Sequence, residues 1–146
     1  MNNLGGYKSI ELIFADELSV FSPTRNRVMI QKKDNSSRML PLHDDSAALS
    51  ATPVNNDAGI LYTHQCTIFL RVLSLSTELC TLLRQVNVHG CILIATTNNG
   101  NMRVFGSKEY PLLGHYAEEY GSKRSDLHQI KLSLTSQCLH GELEPL

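Results

Sequence analysis

The segment 90–106 places two β-prone runs on either side of Asn99-Gly100, and it constrains the fold more than any other part of the chain. Asn-Gly between two such runs is the strongest short-range signal of a β-hairpin with a two-residue type I′ turn, because both central residues of that turn need positive φ. A helix-like stretch precedes the hairpin and two strand-like stretches follow it. This order predicts a compact β domain that carries one helix, and no catalytic motif overlaps the hairpin.

The helix is predicted over residues 76–87, directly before the hairpin. Ser76 is a suitable N-cap residue, and Glu78 would place its negative charge in the first turn, where it favours the helix dipole. One face has an apolar stripe at helical spacing that contains Leu79, Leu82, Leu83 and Val86. A helix of about three turns needs packing against a sheet to be stable.

Alternating apolar and polar residues predict strands along most of the remaining chain. The longest candidate spans residues 60–74, and one of its faces carries Tyr62, His64, Cys66, Ile68, Leu70 and Val72. Shorter candidates cover residues 7–21, 27–33, 112–120 and 127–138. We therefore expect a mainly β fold, an antiparallel β-sandwich or barrel of about seven strands in two sheets, with one packed α-helix and a long extended loop. The 146 residues fit a single domain, 1–146.

Residues 34–59 interrupt the strand patterning. The segment is rich in Ser, Asn and Asp, and no period connects its scattered apolar residues Met39, Leu40, Leu42, Leu49 and Val54. A structureless loop of this length is unusual inside a compact domain, so the segment is either disordered or an arm that folds against a neighbour. Ordering it costs about 1–2 kcal/mol per residue, whereas each apolar side chain contributes about 1.5–3 kcal/mol when a partner buries it. We expect an arm that an adjacent subunit orders, with these five residues at the subunit interface.

Charge and cysteine spacing exclude several functional classes. The formal net charge of −1 provides no basic excess for sequence-independent nucleic-acid binding. The four cysteines contain no Cys-x-x-Cys pair, which argues against zinc ribbons and thioredoxin-like sites. The first residues lack the regions of a signal peptide, and no apolar run approaches the roughly 18 residues of a membrane span, so we expect a protein made in the cytoplasm without membrane contact.

Residues 139–146 are expected to be a flexible tail or a contact peptide.

No set of side chains predicts an active site. His64 and Cys66 share a strand face and could ligate one ion, but that face is otherwise apolar, and a packed histidine with satisfied hydrogen bonds is the alternative. Cys80 and Cys91 lie inside predicted elements rather than on a turn or a helix N-terminus, where a nucleophile is normally raised. We expect no catalytic residue, no cofactor and no metal ion. Solvated surface charges are the expected role of Lys108, Glu118, Glu119, Lys123 and Arg124.

A series of short features covers residues 60–138. It consists of the helix from Leu79 to Val86, the hairpin 90–106, Tyr110-Pro111-Leu112, and the stretch 116–134 that ends in an alternating strand. This series resembles a group of small virion structural proteins of tailed bacteriophages and of prophages of Bacteroides-like hosts. Neck, tail-completion and tail-tube proteins of such phages commonly combine a β-sandwich or barrel with one packed helix and a long extended loop.

The resemblance implies a non-enzymatic virion protein that forms a homo-oligomeric ring in the neck or tail, as tail tube, tail completion factor or connector around the DNA channel. Its partners would be copies of itself and other neck or tail proteins, with DNA passing nearby without specific contact. The residues themselves leave another class open, namely a small soluble host-encoded binding or adaptor domain without catalytic activity. The oligomeric state and the neighbouring genes separate the two classes.

Overall fold

The computed structural model of the chain describes residues 7–25, 27–33, 39–40, 42–57, 59–71, 77–119, 129–141 and 143–145. Within these residues the fold is mainly β with one α-helix, as the patterning predicted. The helix is α1 (Thr77–His89), and a short 3-10 turn, Ala15–Glu17, separates the first two strands. The strands are β1 (Tyr7–Phe14), β2 (Leu18–Thr24), β3 (Arg27–Lys32), β4 (Leu42–Asn56), β5 (Gly59–Arg71), β6 (Cys91–Thr97), β7 (Met102–Phe105), β8 (Leu113–Glu119), β9 (Gln129–Cys138) and β10 (Glu144–Pro145).

The described strands form three sheets, whereas the patterning predicted two. The central sheet has the order β1-β6-β7, the large sheet has the order β4-β5-β9-β8, and the small sheet has the order β10-β3-β2. All pairs are antiparallel except β10 with β3, which run parallel. Alternation along a strand shows which of its faces is buried but not which other strand it joins, so the third sheet was not predictable from the pattern.

The central sheet is buried on both faces, and this creates two hydrophobic cores. Leu12 pairs with Leu93, and both side chains belong to the first core, between the central sheet, the large sheet and α1. The neighbouring pair, Ile13 and Ile92, belongs to the second core, on the side of the small sheet, together with Val28. Burial on both faces explains why β6 begins with a continuous apolar run instead of an alternating one.

The predicted helix is confirmed and is two residues longer at its end, at His89. Leu83 and Val86 are fully buried in the first core and Leu82 packs against it, so the described part of the predicted stripe faces the sheets. The side chain of Leu79 lies outside the described part of the structure. Gly90 directly follows the last helical residue, and its N–H donates to the carbonyl oxygen of Val86 at 2.9 Å. Gly90 has φ of 72°, a left-handed conformation that terminates helices and suits glycine. The predicted N-cap, Ser76, lies outside the described residues.

The predicted hairpin is present, but the predicted type I′ turn is wrong. The N–H of Gly100 donates to the carbonyl oxygen of Thr97 at 2.9 Å, and the N–H of Thr97 donates to the carbonyl oxygen of Asn101 at 2.8 Å. Gly100 has φ of 88°, whereas Asn99 has negative φ. The loop is therefore a β-turn followed by a left-handed glycine, the arrangement of longer hairpin loops.

The predicted loop over residues 34–59 is wrong for residues 42–56, which form β4. This strand pairs with β5 in continuous register from Ala47 opposite Ile68 to Asn56 opposite Gly59. Its inward positions include Ala47, Leu49 and Ala51, which pack against the first core. Alanine contributes little to an apolar alternation, so the period of this strand is weak in the sequence although it is present in the structure.

The expected flexible tail over 139–146 also differs from the structure. Leu143 is buried in the second core, and it exchanges two backbone hydrogen bonds with Val104, of 2.7 and 3.2 Å. Glu144 follows in β10 and forms an ion pair with Arg103 at 3.0 Å. The described part of the tail therefore joins the central sheet to the small sheet.

Candidate assembly surface

The end of the β4–β5 hairpin projects beyond the sheet to which it belongs. Strand β5 pairs with β9 only from Arg71 opposite Gln129 to Tyr62 opposite Cys138. Beyond Tyr62, the strand pairing within the described residues joins the two strands of the hairpin to each other, and the last such pair is Asn56 with Gly59. We call residues 54–57 and 59–61 the hairpin arm. A two-stranded ribbon without further support is only marginally stable in water.

The hairpin arm exposes apolar side chains on both of its faces. Ile60 is 55% exposed, and alternation places it on the same face as Tyr62 and the core residue His64. Val54 is 43% exposed and pairs with Leu61 on the opposite face. Exposed apolar residues concentrated on a projecting element are typical of a contact surface.

The five residues predicted at a subunit interface have different positions. Leu40 is 6% exposed in the first core, and Leu49 packs against that core, so both are covered by their own domain. Met39 is exposed and Val54 lies in the hairpin arm. The backbone of Leu42 pairs with Leu70, while its side chain lies outside the described part of the structure. The structure therefore leaves Met39 and Val54 as described apolar side chains that a partner can cover.

A surface pocket of about 210 Å³ lies near the base of the hairpin arm. Its walls are Phe21 and Pro23 of β2, the turn 107–110, and the segment 139–140 that follows β9. We call it the tyrosine pocket, after Tyr110, whose side chain is 45% exposed. Leu139 is 64% exposed, so the pocket and its margin present aromatic and aliphatic surface to solvent.

Hydrogen bonds hold the turn 107–110 of the tyrosine pocket in place. The N–H of Tyr110 donates to the hydroxyl of Ser107 at 2.8 Å, and the N–H of Ser107 donates to the carbonyl oxygen of Tyr110 at 3.3 Å. The hydroxyl of Ser136, on β9, donates to the same carbonyl oxygen at 2.7 Å. These hydrogen bonds fix the backbone that carries Tyr110, while its side chain stays partly exposed at the pocket.

His64 fixes the opposite wall of the tyrosine pocket from within the core. Its Nδ1 accepts from the N–H of Gly106 at 3.0 Å, so the proton of the neutral ring is on Nε2, which donates to the carbonyl oxygen of His140 at 2.8 Å. The ring of His140 in turn stacks on Phe21, with centroids 6.3 Å apart. His64 is thus the satisfied core histidine that the sequence left as the alternative to a metal ligand.

The buried thiols are poorly suited to nucleophilic chemistry. Burial raises the pKa of the Cys66 thiol to about 12, and the neighbouring Cys138 adds to the effect. The pKa values of Cys91 and Cys138 are also raised, mainly by burial. A nucleophilic cysteine needs a thiolate near neutral pH, and these three groups stay protonated there. The side chain of Cys80 lies outside the described part of the structure.

The other candidates from the sequence do not converge on one place. In the part of the chain that the structure describes, no group of three or more His, Cys, Asp or Glu side chains is arranged to hold a metal ion. Lys108 is exposed at the tyrosine pocket. Lys123 and Arg124 lie outside the described residues, and so do the side chains of Glu118 and Glu119. The described residues include no helix long and apolar enough to cross a membrane.

No family model, no curated protein and no solved structure matches the chain.

Sequence reasoning missed the two features that define this surface. Ile60 is the first residue of the predicted strand 60–74, and nothing in the pattern shows that β9 ends beside β5 before it and leaves its side chain exposed. Turn-forming residues, Asn55-Asn56-Asp57 and Gly59, follow one another between two β-prone runs, and this was the available signal for a hairpin. The tyrosine pocket combines three segments distant in sequence, so no local pattern could have indicated it.

Proposed function

We propose that the chain is a non-enzymatic structural subunit of a tailed-phage virion, and that it forms a homo-oligomeric ring in the neck or tail. The hairpin arm carries this proposal. It is an ordered ribbon that leaves Ile60 and Val54 exposed, and such a ribbon is stabilised when another chain covers it. The sequence resemblance supplies the phage assignment and the tail-tube-like or tail-completion-like architecture.

The sheet edges support an assembly role in a second way. Strand β4 is at one edge of the large sheet and β8 is at the other. An edge strand presents backbone N–H and C=O groups to which another chain can add. Pro53 lacks an N–H and limits such pairing near the hairpin arm, so sheet extension between copies would use the part of β4 before it.

Contacts between different patches of identical subunits close into rings when the rotation between neighbours closes. A projecting arm on one side of a subunit is suited to this kind of contact, because the arm and the surface that receives it are different parts of the same chain. The ring would be held by shape and apolar contact, and no reacting group is needed.

Imaging the purified protein tests the proposal. We expect negative-stain electron microscopy to show rings at high protein concentration, and light scattering to give a mass of several subunits. Ile60→Asp should reduce the assembled fraction at least tenfold, because burial of a carboxylate at the contact is costly. Val88→Asp is the matched control, since Val88 is an exposed aliphatic residue on α1, and it should assemble normally. A wild-type protein that remains monomeric at every concentration would contradict the proposal.

A second candidate function is a small soluble binding domain, and the tyrosine pocket is the observation that favours it. Hydrogen bonds hold one of its walls, and its lining combines the apolar side chains of Phe21, Tyr110 and Leu139 with a few polar ones, as is usual in ligand pockets. A monomer that retains this pocket and binds a host protein would support this second function over the ring.

A further inference from the structure

We propose that His64 is a pH-sensitive switch that holds two walls of the tyrosine pocket together. A second proton on its ring would break the hydrogen bond with Gly106 and loosen the pocket as the pH falls below about 6.5, the pKa of an ordinary histidine. The inference goes beyond the proposed function, because it concerns a device inside one domain and applies equally to a ring subunit and to a monomer.

The two backbone partners of His64 permit one protonation state of the ring. The N–H of Gly106 can only donate, so Nδ1, which lies 3.0 Å from that nitrogen, carries no proton. The carbonyl oxygen of His140 can only accept, so Nε2, at 2.8 Å, carries one. In the imidazolium form both ring nitrogens are donors, and Nδ1–H would face the N–H of Gly106. Protonation therefore replaces a hydrogen bond with a contact between two donors.

Burial adds to the cost of the second proton. His64 is 0% exposed, and the ring of Phe105 packs against it with centroids 6.0 Å apart. A charge in apolar surroundings loses its hydration, and this loss is costly. Among the described residues, the buried polar side chains are those of His64 and Ser107, so none of the described carboxylates is buried with the ring.

The titratable groups described near the ring do not offset a positive charge. Cys66 follows two positions along the same face of β5, and Cys138 lies on the adjoining β9, opposite Tyr62. Burial raises the pKa of both thiols, so they carry no negative charge at or below neutral pH. The ring of His140 lies 6.1 Å away, and its own protonation would add a like charge.

The other elements beside His64 place their charges at the surface. Strand β4 has Ala51 opposite His64. The turn that follows β7 carries Lys108 and Glu109, and both are exposed to solvent. The ring of His64 therefore takes up its second proton without a charged partner on this turn.

Loss of the contact at Nδ1 would affect both sides of the pocket. Gly106 directly precedes the turn 107–110, so the hydrogen bond anchors the start of that wall. A ring that turns away from Gly106 also weakens its bond with His140, whose ring stacks on Phe21. The turn 107–110 and the segment 139–140 should therefore loosen together in acid.

Nitrogen-15 NMR of the histidine rings and backbone amides tests the switch in the unmodified protein. At about pH 7 we expect His64 to have a protonated Nε2 and an unprotonated Nδ1. The amide signals of Gly106 and Tyr110 should shift or broaden in the same pH step in which Nδ1 gains its proton. The inference is overturned by a proton on Nδ1 at neutral pH, by amide signals that do not respond, or by protonation that occurs only when the whole chain unfolds.

Stability at two pH values gives a second test. The unfolded chain takes up the second proton at about pH 6.5, so it binds more protons in acid than the folded chain does. Between about pH 7 and pH 5.5, the ratio of folded to unfolded protein should therefore fall about fivefold to tenfold more in the wild type than in His64→Asn, whose amide retains an acceptor but does not titrate.

The matched control is His115→Asn, which removes an exposed histidine from β8 and should keep the wild-type dependence on pH. Equal pH dependence in the wild type and in His64→Asn would overturn the inference, and the NMR titration decides it if His64→Asn does not fold. Both measurements are made on dilute monomer, so their failure would leave the proposed ring untouched.

Discussion

His64 is a polar residue in the core, and both ring nitrogens are engaged with backbone groups. One nitrogen accepts from the N–H of Gly106, and the other donates to the carbonyl oxygen of His140. The side chain therefore joins β5 to the end of β7 and to the segment after β9. This residue stabilises the fold and also positions a wall of the tyrosine pocket.

Loss of the His64 ring should destabilise the protein strongly. His64→Leu leaves the N–H of Gly106 and the carbonyl oxygen of His140 without these partners, so we expect the free energy of unfolding to fall by about 2–4 kcal/mol. His64→Asn retains an acceptor near Nδ1, and His64→Gln retains a donor near Nε2, so each should cost less. Urea denaturation measures the differences. Gln65→Leu, on the exposed face, should change stability by about 0.5 kcal/mol or less, and equal costs at the two positions would refute this role of His64.

The buried cysteines should be unreactive in the folded protein. In a Cys80→Ser background, we expect a thiol reagent at about pH 8 to label Cys66, Cys91 and Cys138 only when the chain unfolds, because burial keeps these thiols protonated and inaccessible. Rapid labelling of one of them without unfolding would indicate a reactive site and would favour a cysteine enzyme.

The same burial predicts a loss of stability at alkaline pH. Burial raises the pKa of the Cys66 thiol from 9.0, its value in the unfolded chain, to about 12 in the folded state. Above pH 9 the unfolded chain therefore binds fewer protons than the folded chain, and the free energy of unfolding falls as pH rises. Cys66 alone contributes a slope of about 1.4 kcal/mol per pH unit. Cys66→Ala should flatten the stability profile by this amount between about pH 9.5 and 10.5, and an unchanged slope would contradict the assignment.

At the scale of elements, two glycines distinguish the energetic cost of a positive φ from the cost of close packing. Both Gly90 and Gly100 have positive φ, but a Cβ on Gly90 would lie 2.6 Å from Cγ of Pro111, whereas a Cβ on Gly100 meets nothing within 4 Å. We expect Gly100→Ala to cost about 1 kcal/mol from backbone strain, and Gly90→Ala about 2–4 kcal/mol because overpacking is added. Thermal unfolding of the two variants tests the difference. Equal costs would show that the helix end can shift away from Pro111.

The elements that were predictable from the sequence have strong local patterns. Strand β5 and helix α1 could be assigned because large apolar residues recur at period two and at helical spacing, and their buried faces are the predicted ones. Strand β4 could not be assigned from the sequence, since Ala47 and Ala51 occupy inward positions where large apolar residues would have revealed the alternation. The turn at Gly100 had the right residues but a different geometry, because loop length and flanking hydrogen bonds selected the turn type.

At the scale of the whole molecule, residues 143–145 connect the central sheet to the small sheet, and the sequence pattern did not predict this connection. Leu143 is 2% exposed in the second core, so Leu143→Ala should lower the free energy of unfolding by about 2–4 kcal/mol. Leu139→Ala is the matched control four positions earlier, where the side chain is mostly exposed, and it should cost about 0.5 kcal/mol or less. Urea midpoints for the two variants give the comparison. Similar costs would mean that the tail does not tie the small sheet to the central one.

The candidate surface also belongs to the whole-molecule scale. The hairpin arm is exposed because β9 ends opposite Tyr62 while β4 and β5 continue, and the tyrosine pocket arises where three distant segments meet. Relative strand lengths and distant contacts have no local sequence signature, so periodicity could indicate the strands but not the surface they create.

Hydrogen–deuterium exchange of the hairpin arm, measured across protein concentrations, tests the central claim most directly. We expect the amides of residues 54–57 and 59–61 to exchange rapidly in dilute protein and to become protected as copies associate. The amides of β5 from Ile68 to Leu70, which pair with β9 inside the large sheet, provide the internal control and should be protected at every concentration. Protection of the arm that rises with concentration would support an assembly subunit whose arm is covered by another copy. Exchange in the arm that stays equally fast, while the protein remains a monomer, would contradict it.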